Sequence, residues 1–369
     1  MSLSPAPLIS SVRASAYRIP TEAPEADGTL QWDATTLVLV ELEAAGETGL
    51  GYTYADASLV PLIDRQLRPA LEAASALDIG AILDELWASV RNLGRSGLCA
   101  CAISAVDTAL WDLKARLLGL PLVRLLGARR ESVPVYGSGG FTTQAGISLC
   151  EQLAAWTRDD GCRWVKMKVG TDPAADIHRV EEARQAIGDA GLFIDANGAH
   201  SSRSAIAFAR RIADSQVSWF EEPVSSDDVR GLRAVRDAIS ASGQPMDIAA
   251  GEYAYTPDDV RRLLESGAVD VLQADVTRCG GISGFLQAAA LCEAFHVDLS
   301  AHCAPALHRH VACAAPRLRH IEWFQDHVRL ESMLFEDAPQ AREGVIRPDL
   351  DQPGHGLRFR HADARRYAI

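Results

Sequence analysis

Trp164-Val165-Lys166-Met167-Lys168-Val169 is an apolar stretch that carries two lysines two positions apart. Side chains alternate along a strand, so Lys166 and Lys168 share one face of it. The chain has one other lysine, Lys114, and otherwise draws its cations from arginine. Ammonium groups kept inside an apolar strand point to chemistry that needs a losable proton, which a guanidinium does not supply. A Lys-x-Lys pair also suits the solvated face of an edge strand, and the sequence around it decides between the two readings.

Outward from this stretch, short apolar runs alternate with helical segments, the pattern of parallel βα units. Candidate strands cover 133–137, 164–169, 192–195, 217–221, 247–250, 269–273, 297–301 and 320–324. Eight strands at this spacing suggest a closed barrel. The segments 176–187 and 203–213 between them have the mixed apolar and charged faces of outer-ring helices.

Upstream, 9–18, 35–43 and 49–54 read as strands of a short antiparallel sheet, with Ala45-Gly46-Glu47 as a turn. Residues 19–33, with Pro20, Pro24 and Gly28, are polar and turn-rich, and are expected to form an irregular binding or lid loop. Helical periodicity runs from 59 to 118 and breaks at Gly119-Leu120-Pro121. The last thirty residues turn Gly- and Pro-rich and are expected to pack back on the first domain. The boundaries expected are 1–130 for an N-terminal α+β unit, 131–335 for the barrel and 336–369 for the returning segment.

The composition bounds the function. At 369 residues and 48% hydrophobic, the chain can bury a large core. A net charge of −13 and the absence of any basic run argue against a nucleic-acid partner. No apolar stretch reaches eighteen residues and no signal-like segment precedes 20, so no membrane is expected and the cytoplasm is the expected compartment. The eight cysteines include no Cys-x-x-Cys pair and sit in apolar runs, which fits reduced, buried thiols.

Charged residues recur where the barrel strands end, the face on which barrel loops build a site. After Lys168 come Asp195, Glu221, Glu252, Asp275, His302 and Glu322, separated by 27, 26, 31, 23, 27 and 20 residues. Each acid alone is compatible with a solvated strand end or a helix N-cap. Asp195, Glu221 and Glu252 on three neighbouring strands share one mouth, and their repulsion calls for a divalent cation; an all-oxygen shell suits Mg²⁺. Neighbouring positive charge is expected to lower the lysine pKa toward that of a usable base. Asp275 is placed to orient His302, although a core histidine and a structural acid remain alternatives. Glu222 is expected to point away from the site, Cys303 to be a packed thiol, and His308 and His310 to be surface or packing residues. Candidates for reading the rest of a ligand are Trp32, Phe141, Asn197, Tyr253 and His327.

With Lys166-Met167-Lys168, Asp195-Ala196-Asn197, Glu221-Glu222-Pro223, Gly251-Glu252, Asp275 with Gly280-Gly281, His302 and Glu322 in this order, the chain resembles the enolase superfamily and, within it, the mandelate racemase subgroup. The resemblance implies a modified (β/α)7β TIM barrel under an N-terminal α+β capping domain that the C-terminal segment completes. It implies one Mg²⁺ per subunit on Asp195, Glu221 and Glu252, and Lys168 as one base. The Asp275–His302 dyad would be the other acid/base, while Glu322 and Lys166 would contact the substrate carboxylate. The muconate-cycloisomerase-like subgroup places a lysine base after the sixth strand, where this chain has Arg278, a poor base. The implied reaction is abstraction of the proton alpha to a carboxylate, through an enediolate. Dehydration of a sugar acid, an aldonate or aldarate, is expected; a racemase or epimerase is the alternative, and a non-catalytic binding protein a third reading. The resemblance also implies a homo-oligomer.

Overall fold

The computed structural model of the protein describes residues 6–369. Three antiparallel strands come first, β1 (Ile9–Ala26), β2 (Gln31–Ala44) and β3 (Glu47–Tyr54), with β2 in the middle. β1 and β2 form one long hairpin, and their arms absorb most of the segment expected to be a loop. The pairing passes from Pro20↔Ala34 to Glu25↔Trp32 through a bulge, and only residues 27–30 turn. Pro20 and Pro24 read as loop formers, but both lie on an edge strand, where a missing N–H can face away from the ladder. The helical region that follows is several helices, of which Leu98–Leu117 is the longest and backs the sheet. Gly49 and Gly51 allow its close approach, since a Cβ on either would strike the helix backbone at Ala109 or Ala105.

Eight parallel strands follow: β4 (Val133–Gly139), β5 (Trp164–Lys168), β6 (Gly191–Asp195), β7 (Val217–Glu221), β8 (Asp247–Ala250), β9 (Val271–Ala274), β10 (Asp298–Ala301) and β11 (Leu318–Phe324). Each pairs with its successor, and β11 pairs with β4 to close the barrel. The helix after β11, Gln325–Leu334, is tied to the cap: Glu331 accepts a 2.6 Å bond from Tyr52 Oη, and Asp326 accepts one from Thr35. The fold is thus a modified TIM barrel with an N-terminal cap. The tail returns to that cap, where buried His355 bonds Leu50 O through Nε2 and Asp112 through its N–H, both at 2.8 Å. Among the described residues, no helix is long and apolar enough to cross a membrane. All eight cysteines are free, and seven are buried.

Period-two alternation stacks the barrel interior in layers. Tyr136, Phe193 and Trp219 form an aromatic floor, with Phe193 5.3 Å from Tyr136 and 5.1 Å from Trp219. Two residues further along their strands, the same inward face of β6 and β7 presents Asp195 and Glu221.

Burial raises the Glu331 carboxyl from its ordinary 4.5 to about 8, against hydrogen bonds from Tyr52 and the Ala306 N–H that favour its ionised form. A raised folded-state pKa means the native state holds the proton longer than the unfolded chain, so stability is present at low pH and lost as pH climbs from about 4.5 to about 8. In Glu331→Gln this slope is expected to flatten by on the order of a few kcal/mol over that window, as seen in melting curves taken at successive pH values. An unchanged slope would remove Glu331 as its source.

Candidate active site

The strand ends converge on a cavity of about 430 Å³ between barrel and cap, within the usual range for a small-molecule site. Lys168, Glu252, His302 and Glu322 line it from below, and Trp32, Thr35, Tyr54 and Asp56 from the cap. Asp195, Glu221 and Glu252 are buried and offer carboxylate oxygens within 4.8 Å of one another. Burial, with Asp195 beside it, lifts Glu221 to about 8 in spite of Lys166. Glu252 Oε2 has no hydrogen-bond partner. Three crowded carboxylates with an orphan oxygen are a donor set for a hard, oxygen-seeking divalent cation, and they fit Mg²⁺.

The two lysines occupy different depths. Lys166 is fully buried, with Nζ 2.6 and 2.7 Å from the Glu221 oxygens, 2.9 Å from Glu322 and 5.5 Å from the Tyr136 ring centre. It does not line the cavity. Lys168 does, bonded to Asp195 at 2.5 Å and to Asn197 at 3.0 Å. The expected depression of their pKa values rests on a bound cation, and the protein groups by themselves act the other way. Burial works to lower both, and Lys166 also lowers Lys168, but Asp195 outweighs these at Lys168 and Glu221 and Glu322 outweigh burial at Lys166, so both ammoniums are held above the ordinary range.

On the far wall, His302 Nδ1 lies 2.8 Å from Asp275 Oδ2, which leaves Nε2 facing the cavity. Burial opposes a charged imidazole, yet Glu252, Glu322 and Asp275 together hold its pKa well above normal. His302 in turn keeps the Asp275 carboxyl well below its normal range, although burial acts the other way. His308 is buried: its Nε2 accepts from the Val276 N–H at 2.9 Å and its Nδ1 donates to Cys303 O at 2.8 Å. It therefore joins the loops that carry Asp275 and His302, a role its position in a helix did not announce. His310 is buried too, against His355 O.

Of the residues expected to read a ligand, Trp32, Asn197, Tyr253 and His327 line the cavity. Phe141 does not; it stands behind the wall, edge-on to Trp32 at 5.7 Å and to Phe324 at 5.9 Å. Glu222 is buried and turned to an adjoining cleft with Asn197 and Tyr253. Arg278, noted in the sequence only as a poor base, also lines the cavity, as do Leu30, Tyr54, Asp56 and Phe324, which carry no motif that marks them in the sequence. Arg278 Nη1 donates to Glu252 O at 3.3 Å and its Nε lies 3.5 Å from Asp275, which leaves Nη2 uncommitted.

The β1–β2 turn seals one side. Thr142 and Thr171 hydroxyls each donate to Asp27 O at 2.9 Å, and a Cβ on Gly28 would strike Ala196 O and Val169 O, next to Asp195 and Lys168. Gly28→Ala is expected to lift the turn and cost about 10- to 100-fold in kcat/KM, mostly through KM, in steady-state kinetics. An unaffected KM would show that the turn does not bound the substrate.

Comparison with known proteins bears on this arrangement. Residues 148–364 match the family described as enolase C-terminal domain-like, and residues 15–127 match the N-terminal domain of mandelate racemase / muconate lactonizing enzyme. A 3,6-anhydro-alpha-L-galactonate cycloisomerase of Streptomyces coelicolor is 34% identical over 95% of this chain and 96% of its own. An L-talarate/galactarate dehydratase of Salmonella typhimurium is 31% identical over 90% of this chain and 82% of its own. Among solved structures, a mandelate racemase/muconate lactonizing enzyme-like protein from Rubrobacter xylanophilus superposes with a TM-score of 0.94 at 46% identity, covering 98% of this chain and all of the other. A Streptomyces coelicolor racemase with bound magnesium gives 0.91 at 32%, with the same coverage.

Proposed function

The chain belongs to the mandelate racemase / muconate lactonizing enzyme family of the enolase superfamily, and from that premise we propose that it eliminates a β-oxygen from a sugar acid after removing the proton alpha to the carboxylate. The observation that carries the reading is the pairing of two candidate bases on different walls, Lys168 on β5 and the Asp275-oriented His302 beyond β10, with three carboxylates between them. Held by Asp195, Glu221 and Glu252, Mg²⁺ would supply the Lewis acid that stabilises charge developing on the substrate carboxylate. The magnesium in the Streptomyces racemase structure supports that choice of ion.

Lys168 takes the alpha proton from one side of the cavity. Lys166 acts from beneath as a positioning residue, fixing Glu221 and Glu322 through its three short contacts. Glu322, bonded also to Ser138 at 2.5 Å, is held to face the substrate carboxylate. His302, its charged form favoured by Glu252, Glu322 and Asp275, delivers a proton to the departing β-oxygen as general acid. Uncommitted donors on Arg278 and the carboxylate of Asp56 suit a polyhydroxylated chain.

The leaving oxygen has two possible identities. A free hydroxyl departs as water and the enol left behind becomes a 2-keto-3-deoxy acid, as the similarity to the talarate/galactarate dehydratase suggests. A ring oxygen stays attached and the product is an isomer, which the 34% identity to the cycloisomerase favours as a second reading.

Proton NMR in D₂O with Mg²⁺ and a panel of aldonic, aldaric and anhydro-sugar acids tests this. Exchange at the alpha carbon with appearance of a semicarbazide-reactive keto acid is expected. Loss of one water from the mass identifies dehydration; unchanged mass identifies ring opening. Inversion at the alpha carbon without any keto acid would replace elimination by racemisation.

A further inference from the structure

We propose that His302, Cys303 and Glu322 form a second, thiophilic metal site that captures Zn²⁺ or a similar soft divalent ion and thereby takes His302 out of action. All three are more than nine-tenths buried and line the catalytic cavity. Cys303 Sγ lies 3.4 Å from His302 Nε2 and 3.3 Å from Glu322 Oε2, and these last two atoms are 3.7 Å apart. Zinc bonds to S, N and O run about 2.0–2.3 Å, and tetrahedral ligands at those lengths stand roughly 3.3–3.6 Å from each other. The triad therefore already has the spacing of one tetrahedral face.

The surroundings support the same assignment. Asp275 on Nδ1 fixes the imidazole so that Nε2 points at the other two ligands, the carboxylate–histidine support common behind metal-bound histidines. The Cys303 N–H donates to Glu322 Oε2 at 3.1 Å and steadies that oxygen. Cys303 itself holds φ at +53°, an unusual backbone for a side chain of this kind, and that conformation aims the thiol into the cluster. The all-oxygen group of Asp195, Glu221 and Glu252 offers nothing soft, so the two sites differ in preference: oxygen-seeking Mg²⁺ for one, a thiolate-binding ion for the other.

Binding is an exchange of cation for proton. The Cys303 S–H and the Nε2–H of the charged His302 both break as the sulfur–metal and nitrogen–metal bonds form, and the two protons leave to solvent. Because His302 and Glu322 both line the substrate space, the captured ion competes with substrate and not with Mg²⁺.

The test uses the full chain with Mg²⁺ in large excess. Calorimetric titration is expected to show one Zn²⁺ bound per chain, and Cys303→Ala to weaken it about 100-fold or more, at least the loss that removing an outer partner brings. Co²⁺ added in place of Zn²⁺ is expected to give thiolate charge-transfer absorption that Cys303→Ala lacks. Cys303→Ser is a second variant should the alanine chain fail to fold. Equal Zn²⁺ affinity in both proteins, release of Zn²⁺ by added Mg²⁺, or a charge-transfer band that persists without Cys303 would each overturn the site. These readouts need no substrate, so their failure is distinct from failure of the proposed elimination. In kinetics, Zn²⁺ inhibition competitive with substrate supports capture of His302, and inhibition relieved by Mg²⁺ refutes it.

Discussion

Stripping divalent cations with a chelator is expected to reduce turnover by about 10⁴-fold or more, and added Mg²⁺ to restore it. The size follows from two losses at once. A Lewis acid at a developing negative charge contributes several kcal/mol, and each 1.36 kcal/mol is a factor of ten. The second loss is at the base. Without a cation to share it, the Asp195 carboxylate 2.5 Å from Lys168 keeps that ammonium protonated, and a protonated lysine cannot accept the alpha proton. The carboxylates that would hold Mg²⁺ and those that hold the Lys168 proton are therefore the same groups, so filling the site and freeing the base are one event. Glu221→Gln is expected to match the chelated wild type in rate while also losing stability, since Lys166 gives up its two shortest carboxylate contacts in a fully buried setting. Single-turnover rates and melting temperature, measured on the variant with and without Mg²⁺, check both halves. A variant that keeps Mg²⁺-dependent turnover near wild type would place the cation elsewhere.

The barrel and its rim were legible in the sequence because one rhythm encodes both. Each βα unit repeats at 20 to 31 residues, and the inward period of two carries an aromatic such as Phe193 or Trp219 into the floor and an acid such as Asp195 or Glu221 into the mouth. What escaped was set by contacts distant in sequence. The β1–β2 hairpin hid behind Pro20 and Pro24, because nothing local shows that β1 is an edge strand. Tyr54 gave no sign of its place in the cavity wall, where it stacks on His327 at 3.5 Å, since the two meet only when cap closes on barrel. The carboxylates that set the charge of the two lysines escaped for a related reason. Lys166 and Lys168 are neighbours in sequence and visibly repel, whereas Glu221, Glu322 and Asp195 approach them from other strands and prevail. Cys303 is the packed thiol expected, but its partners, an imidazole turned by Asp275 and an acid from β11, lie outside any local pattern.

The two walls of the cavity predict a split between exchange and elimination. Removing a positioned acid–base group typically costs 10²–10⁴-fold, so His302→Asn is expected to lower keto-acid formation by about 10³- to 10⁴-fold. Lys168 stands on β5, with β4 and β11 between it and β10 on the short way round the barrel. It retains its own approach to the substrate, and exchange of the alpha proton of one epimer in D₂O should therefore continue at a rate close to wild type in that variant. Lys168→Ala reverses the pattern for the epimer it serves: exchange from that side falls by a similar factor, while His302 keeps its Asp275 partner and its proton. Asparagine is the informative replacement at 302 because it can still reach toward Asp275, which limits collapse of the buried acid onto Arg278, 3.5 Å away. The measurement is deuterium incorporation and keto-acid release followed together in both variants. Loss of exchange for both epimers in His302→Asn would mean that a single group serves both sides of the alpha carbon, and the assignment of Lys168 as an independent base would fall with it.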